Sequence, residues 1–584
     1  MQRVFWQCAI GALGFGLLMA GCSKKPPPQT GTKITEGMKV KDAYGDVIEL
    51  DQGWTDDTQQ GFYNTPQGAE IMPYEWILAL EQADSGDKFI APANIQRFRY
   101  LPRKPSTKNP DGLPVGWVKG ADSTGKDWFG LTCSACHTGQ IQYTTPGTDQ
   151  SIEIRIDGAP TLADFNLMNE DMVAAMKATL AQEDKFDRFA KAVLKSSDND
   201  DSRNALRGEL EIETAKLDTR NKINATEVHY GFARIDAIGF IFNQTMSTLP
   251  GIPENALPSD APASYPFLWG TDQSDVVQWT GFAANLDGAG TLVRNGGEVI
   301  GVYGRVELTE KDAYVSSLDI PTLGQLENWV RELNSPVWPE HVFPEIDAAK
   351  AKAGEALYKE QCASCHQVIA REDAIKTGYK AVITPITEIG TDPTELENML
   401  NREYEAGIYE GKKSASIAGD KIPNPTTGLN PLVNAVTGSL LEHKWESLKS
   451  FASEHATRSG GGGPAVSGYK ARPMNGVWAT APYLHNGSVP NLYELLLPVA
   501  QRSATFTLGS REYDPVRVGY ALDQPTSASD YTPFVFDVSL KGNSNAGHLY
   551  GTCMPDQTDP CNRRWGRALT DEERWQIVEY MKTL

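Results

Sequence analysis

"FPEIDAAKAKAGEALYKEQCASCH", residues 343–366, ends in Cys362, Cys365 and His366, the pattern Cys-x-x-Cys-His. The same phrase stands earlier in "GLTCSACHTGQ", residues 130–140, as Cys133, Cys136 and His137. With eight cysteines and eight histidines in 584 residues, chance supplies one such phrase in on the order of one chain in a thousand. Two point to chemistry. Cysteines three apart present both sulfurs to one edge of a porphyrin, and the adjacent histidine supplies an axial nitrogen to its iron. A thioredoxin-type redox pair needs no histidine in that place. A four-ligand zinc site needs its two pairs close together, and these are far apart in the chain. The reading is two covalently bound haem c groups.

The residues before the second motif carry an amphipathic helix, with Ala349, Ala353, Ala356 and Leu357 at i, i+4, i+7 and i+8 and Gly354 as a close-approach residue within it. At the far end "ALTDEERWQIVEYMKTL" opens on a capping box, Thr570 with Glu573, and marks an apolar face with Trp575, Ile577, Val578 and Met581. Two such helices crossing beside a haem resemble a small c-type cytochrome. The expected organisation is a lipoprotein signal over 1–22, a linker over 23–45, a first haem module over 46–340 and a second cytochrome c module over 341–584. The prolines of "NSPVWPEHVFPEID" mark the junction. The expected fold class is mainly α, two cytochrome c-like modules with long loops and little β.

A net charge of −21 opposes binding to nucleic acid and suits a basic electron-transfer partner. Thirteen tryptophans provide an interior suited to a large planar ligand. The amino terminus has one early Arg, an apolar run to Ala20, then Gly21 and Cys22 before a polar, Pro-rich stretch. This reads as a secretory signal and resembles that of bacterial lipoproteins, in which the cysteine is lipidated. Met19 stands where that pattern prefers Leu, and Ser23 resembles the outer-membrane sorting choice. An uncleaved membrane anchor is the alternative. The body is then expected outside the cytoplasm, in the periplasm or at the cell surface, tethered to the outer membrane. Cys8 leaves with the signal, and in that oxidising compartment Cys553 and Cys561 are expected to form a disulfide.

What opposes each motif histidine separates a carrier from a catalyst. The remaining histidines are His229, His341, His443, His455, His485 and His548. Near the first motif the only other candidates are Met168, Met172 and Met176, whose i, i+4, i+8 spacing reads as one packed helix face. The first haem therefore reads as open, with "AIGFIFN" and "SYPFLWGTDQSDVVQWTGFAANL" as apolar walls. For the second haem His485 and His548 are both candidates.

"YKARPMNGVWATAPYLHNGSVPNLYELLLP", residues 469–498, is similar to the "TAPYFHDGS" element of bacterial di-haem cytochrome c peroxidases and their protein-modifying relatives. The chain departs from them in "LLLPVAQ", which lacks their ligand methionine, and in having no distal histidine soon after His137. A closer resemblance is to the secreted di-haem rubber oxygenases. It rests on "CSACH", "CASCH", "NPDGLPVGWV", "RIDAIG", "RNGGEVIGVYG", "YKARPMNGVWATAPYLHNGS" and "NSNAGH" and spans nearly the whole mature chain. That resemblance implies an open oxygen-binding face opposite His137, and ligation of the second iron by His366 and His548. It makes His485 a neighbour of a propionate or the porphyrin edge. It also implies a tryptophan between the haems, Trp269 or Trp279, with Phe267 and Phe282 as pocket aromatics. A lipid anchor departs from the family, since an insoluble polymer favours a released enzyme.

Three functions follow as expectations. The leading one is an oxygenase that uses O2 at the first haem on an apolar alkene-like small molecule or polymer. The second is a peroxidase that takes hydrogen peroxide there, with electrons from a small redox protein. The third is a non-catalytic electron carrier. Glu298 is the candidate acid of the first site, unless Arg294 pairs with it.

Overall fold

The computed structural model describes residues 29–43, 45–285, 289–308, 314–453, 467–548 and 568–584. Cys22, Cys553 and Cys561, and with them the lipidation and disulfide expectations, lie outside the described residues.

Around the second motif, helix Ala348–Gln361 starts at Asp347, whose carboxylate accepts from the amides of Ala349 and Lys350. Such a cap satisfies amide donors that the first turn leaves free. The helix crosses Asp571–Lys582, which opens on the Thr570–Glu573 capping box. At the crossing a Cβ on Gly354 would stand 1.9 Å from the Gln576 carbonyl oxygen. Only glycine lets the backbones meet there, and that contact selects the buried stripe. Ala351, Gly354, Tyr358 and Gln361 face inward, whereas Ala349 and Ala356 of the expected face are exposed. On the partner helix Ile577, Val578 and Met581 are buried, and Trp575 stacks on Tyr493 with ring centroids 4.1 Å apart.

The expectation of a mainly α fold with little β is overturned. Helix accounts for 38% and strand for 18% of the described residues, with ten small sheets among them. Strands, not helices, hold the first motif. Asp127–Leu131 pairs with Trp117–Ala121 and Met72–Pro73 and runs into the tight turn Cys133–Ala135. His137 then leads into strand Thr138–Thr144, which pairs antiparallel with Ser151–Asp157 over its full length. Ser151–Asp157 in turn lies parallel to Asp46–Glu49. "SIEIRID" does alternate apolar and polar side chains, the period of a strand. Elements this short lose to the longer helical patterns when no partner strand is visible.

Helices Phe165–Ala181 and Asp200–Ile223 pack on each other. Met168, Met172 and Met176 are buried in the core there. The largest apolar core spans the chain, from Trp54 and Trp338 to Trp478 and Ile577.

Gly354→Ala should drive a methyl into the Gln576 carbonyl and destabilise the chain by about 1–3 kcal/mol. A lower Tm than the parent's in a thermal melt checks this, and an unchanged Tm would contradict the close crossing.

Candidate functional site

The first motif is locked by its own backbone and by neighbours. The amide of His137 donates to Cys133 O at 3.0 Å. Those of Thr161 and Gly158 donate to the carbonyls of Cys136 and His137 at 3.1 and 3.0 Å. A Cβ on Gly116, whose φ is +75°, would lie 2.0 Å from Ala135 N, so that loop packs directly on the turn. Nδ1–H of His137 donates to Pro266 O at 2.7 Å, which leaves Nε2 unprotonated as a ligand nitrogen. Burial, slightly opposed by that bond, pushes the ring down to about 4, so it is the neutral, metal-binding form at physiological pH.

The second motif repeats the device. Nδ1–H of His366 donates to Arg472 O at 2.8 Å, and burial pushes this ring also down to about 4. His366 and His548 face each other with ring centroids 6.1 Å apart and planes 21° from parallel. That is too far for stacked rings in contact. A metal–nitrogen bond of about 2.0 Å on each side, with about 1.1 Å from nitrogen to ring centre, sets trans imidazole centroids roughly 6.2 Å apart. His366 and His548 would hold one metal ion between them. Burial, reinforced by His366 and Arg502, pushes His548 down to about 3.

The loop that carries His548 is held from several sides. Arg502 donates to the carbonyls of Asn545 and His548, and Arg234 reaches Asn543 Oδ1 at 2.7 Å. Asn486 donates to Gly542 O and Ser544 O, both at 3.0 Å. His548 itself has φ +51°, a left-handed conformation that needs such support. His485 lines the same cavity but packs on Tyr469 at 4.2 Å and contacts Thr391 Oγ1. The structure thus pairs His366 with His548 and leaves His485 beside them.

Each motif borders its own cavity. One has Cys133, Cys136 and His137 in its wall. The other has Cys362, Cys365, His366, His485 and His548. Burial first, then nearby acids, pushes the Cys133 thiol up to about 12, and burial and Cys133 push Cys136 equally high. A reactive redox pair needs the opposite shift. Among the described residues no group of three or more His, Cys, Asp or Glu side chains is placed to hold a bare metal ion. Paired sulfurs, an oriented imidazole and a mostly apolar cavity wall beside them fit haem c.

The remaining candidates separate. Trp279 borders both cavities, its indole nitrogen donating to Ser264 O at 2.9 Å. Trp269 is buried away from both and donates to Asn475 O at 2.7 Å. Phe267 lines the second cavity under the Arg472 guanidinium, 3.6 Å from its ring centroid. Phe282 lines a smaller apolar cavity shared with Leu432 and Val436, rather than the one at His137. Glu298 lies in the wall of the first cavity and accepts from Gln278 Nε2 at 2.6 Å. Burial raises its pKa against the pull of Gln278 and Arg294. Arg294 pairs with Glu327 instead. His229 is exposed and borders neither cavity.

Sequence reasoning missed Arg472, Lys470 and Glu395. Arg472 lies in the quoted "YKARP", and a cation inside an apolar stretch was the available signal. It donates to Phe267 O and Trp269 O, both at 2.6 Å. Glu395 borders the first cavity, and burial with Asp236 and Asp392 raises it to about 8.

Residues 468–507, which carry Lys470, Arg472 and His485, match a family model described as RoxA-like, cytochrome c-like. The chain is 31% identical over 591 residues to the uncharacterized protein y4iJ of Sinorhizobium fredii (strain NBRC 101917 / NGR234), covering 92% of this chain and 93% of that one. The chain belongs to the y4iJ family. It is also 27% identical over 344 residues to the uncharacterized protein y4iM of the same organism, over 58% of this chain and 67% of that one. The RoxA-like match relates this y4iJ-family chain to rubber oxygenase-like cytochromes and makes its function haem-related.

In the purified protein His548→Ala should convert a low-spin, six-coordinate haem signal to high-spin in EPR spectra, while His485→Ala should leave it low-spin. The reverse pattern would reassign the ligand.

Proposed function

We propose that this chain is a di-haem c oxygenase that uses O2 on an apolar, alkene-like substrate at the cavity of Cys133, Cys136 and His137. The observation that carries the reading is the contrast between the two cavities. One brings a second imidazole opposite its motif histidine at axial spacing. The described wall of the other includes no histidine besides His137 and no methionine. Haem c, when bound, supplies electron transfer and dioxygen chemistry.

The chain's own residues do the rest. His137, held by Pro266 O, presents Nε2 to the cavity. Ile238, Phe240, Ile241 and Val302 line a wall that excludes water and favours an apolar molecule. Burying an unpaired charge there would cost several kcal/mol, and burial pushes the Glu298 carboxyl toward its neutral form while Gln278 donates to it. Trp279, fixed by Ser264 O, provides aromatic continuity between the two sites. Tethering through Cys22 outside the cytoplasm, with a small redox protein as electron donor, belongs to the same proposal. No described helix is long and apolar enough to cross a membrane.

One observation favours a peroxidase as the second reading. Glu395, raised to about 8, is protonated near neutral pH in the wall of the first cavity. A peroxidase needs such a proton donor. Oxygen-electrode traces with polyisoprene, squalene and simpler alkenes should show substrate-dependent O2 uptake. Hydrogen peroxide turnover with a reduced small cytochrome, without alkene-dependent uptake, would replace the oxygenase reading. In that case Glu395→Gln should slow turnover by about 10²–10⁴-fold.

A further inference from the structure

Four residues border both cavities: Ser264, Tyr265, Trp279 and Lys470. Lys470 alone among them is charged. It is also the one Asp, Glu, Lys or Arg side chain in the described wall of the His366–His548 cavity. Its strand, Gly468–Ala471, pairs with Val382–Pro385, Ile383 opposite Lys470. The backbone amide of Lys470 donates to Trp279 O at 2.8 Å. The side chain therefore leaves the strand beside the tryptophan that separates the sites.

An ammonium has three donors. The hydrogen bond of Nζ among the described residues is to Val276 O, at a long 3.3 Å. Burial weighs first against its charge, the cationic Arg472 and Arg294 add to that, and Asp275 favours the ammonium from the other side. Arg294 is engaged by Glu327. Arg472 spends its donors on the carbonyls of Phe267 and Trp269 and on Thr271 Oγ1, with Tyr379 beside it favouring its charge. A cation placed in this way is stabilised by a further anion added to Asp275.

We propose that Lys470, with Arg472 behind it, is a shared anion anchor, pairing with porphyrin carboxylates from both cavities at their junction. This rests on the reading that each motif holds a haem. The propionates of a porphyrin in the His366–His548 cavity meet one formal charge in the described wall, and it is this ammonium. Because the same side chain borders the first cavity, the charge of each cofactor is felt at the other through one group.

The full-length wild type, Lys470→Met, Lys470→Gln and Lys470→Arg are compared by intact mass, EPR spectra and spectroelectrochemical titration of each haem. Two covalently attached porphyrins are expected per wild-type chain. Loss of the ammonium removes a charge that opposes ferric iron, so in the Met or Gln variant both midpoint potentials should fall, and in the Arg variant both should stay at wild type. Spin states should be unchanged in all. A shift confined to one haem, or to neither, overturns the shared anchor while leaving the two-haem reading intact. A lost low-spin signal on Lys470→Gln overturns it by making Lys470 an iron ligand. Fewer than two porphyrins on the wild type overturns the underlying reading itself.

Discussion

The two motif histidines are aimed by one short strap of chain. His137 donates to Pro266 O, and Arg472 donates to Phe267 O and Trp269 O while its own carbonyl accepts from His366. Ser264, two residues before Pro266, accepts from the Trp279 indole and donates its amide to His485 O at 2.7 Å. Residues 264–269 thus touch the orienting bond of each imidazole. A shift of this strap would misdirect both at once, and a carbonyl acceptor on each Nδ1 sets the tautomer that a metal ligand needs. The walls, the bridging tryptophan and the buried cations are arranged around that strap.

Electrostatics also separate the two cavities. Burial keeps both imidazoles of the His366–His548 cavity neutral, and Lys470 is the one formal charge in its described wall. The His137 cavity combines an apolar wall with Asp236, Glu298 and Glu395, each with a carboxyl raised by burial. Raised carboxyls are the economical solution in such a place, since a neutral acid is far cheaper to bury than an anion. They also leave protons available where small-molecule chemistry would occur.

The fold joins two supports for one chemical phrase. At Cys362–His366 two helices cross at Gly354, close enough for backbone contact. At Cys133–His137 a strand, a tight turn and another strand hold the same five residues. The phrase needs only a turn that places two sulfurs on one side and an imidazole beneath. Either framework can provide it.

Much of this was legible in the residues themselves. The two Cys-x-x-Cys-His phrases, the Asp571–Lys582 capping box and the close approach at Gly354 are local patterns, and local patterns follow from backbone geometry and hydrogen bonding within a few positions. The β content was hidden because strands of two to seven residues acquire their stability from partners far away in sequence, as Asp46–Glu49 does from Ser151–Asp157. The buried stripe of Ala348–Gln361 was misread because a backbone contact, not side-chain hydropathy, chooses it. The residues by themselves left His485 and His548 both eligible, with only the family resemblance favouring His548, and left Trp269 and Trp279 undecided. Tertiary structure separated them, since a ligand or a bridge is defined by distance to a second group, and residues 366 and 548 become neighbours only when the chain closes around the cavity between them.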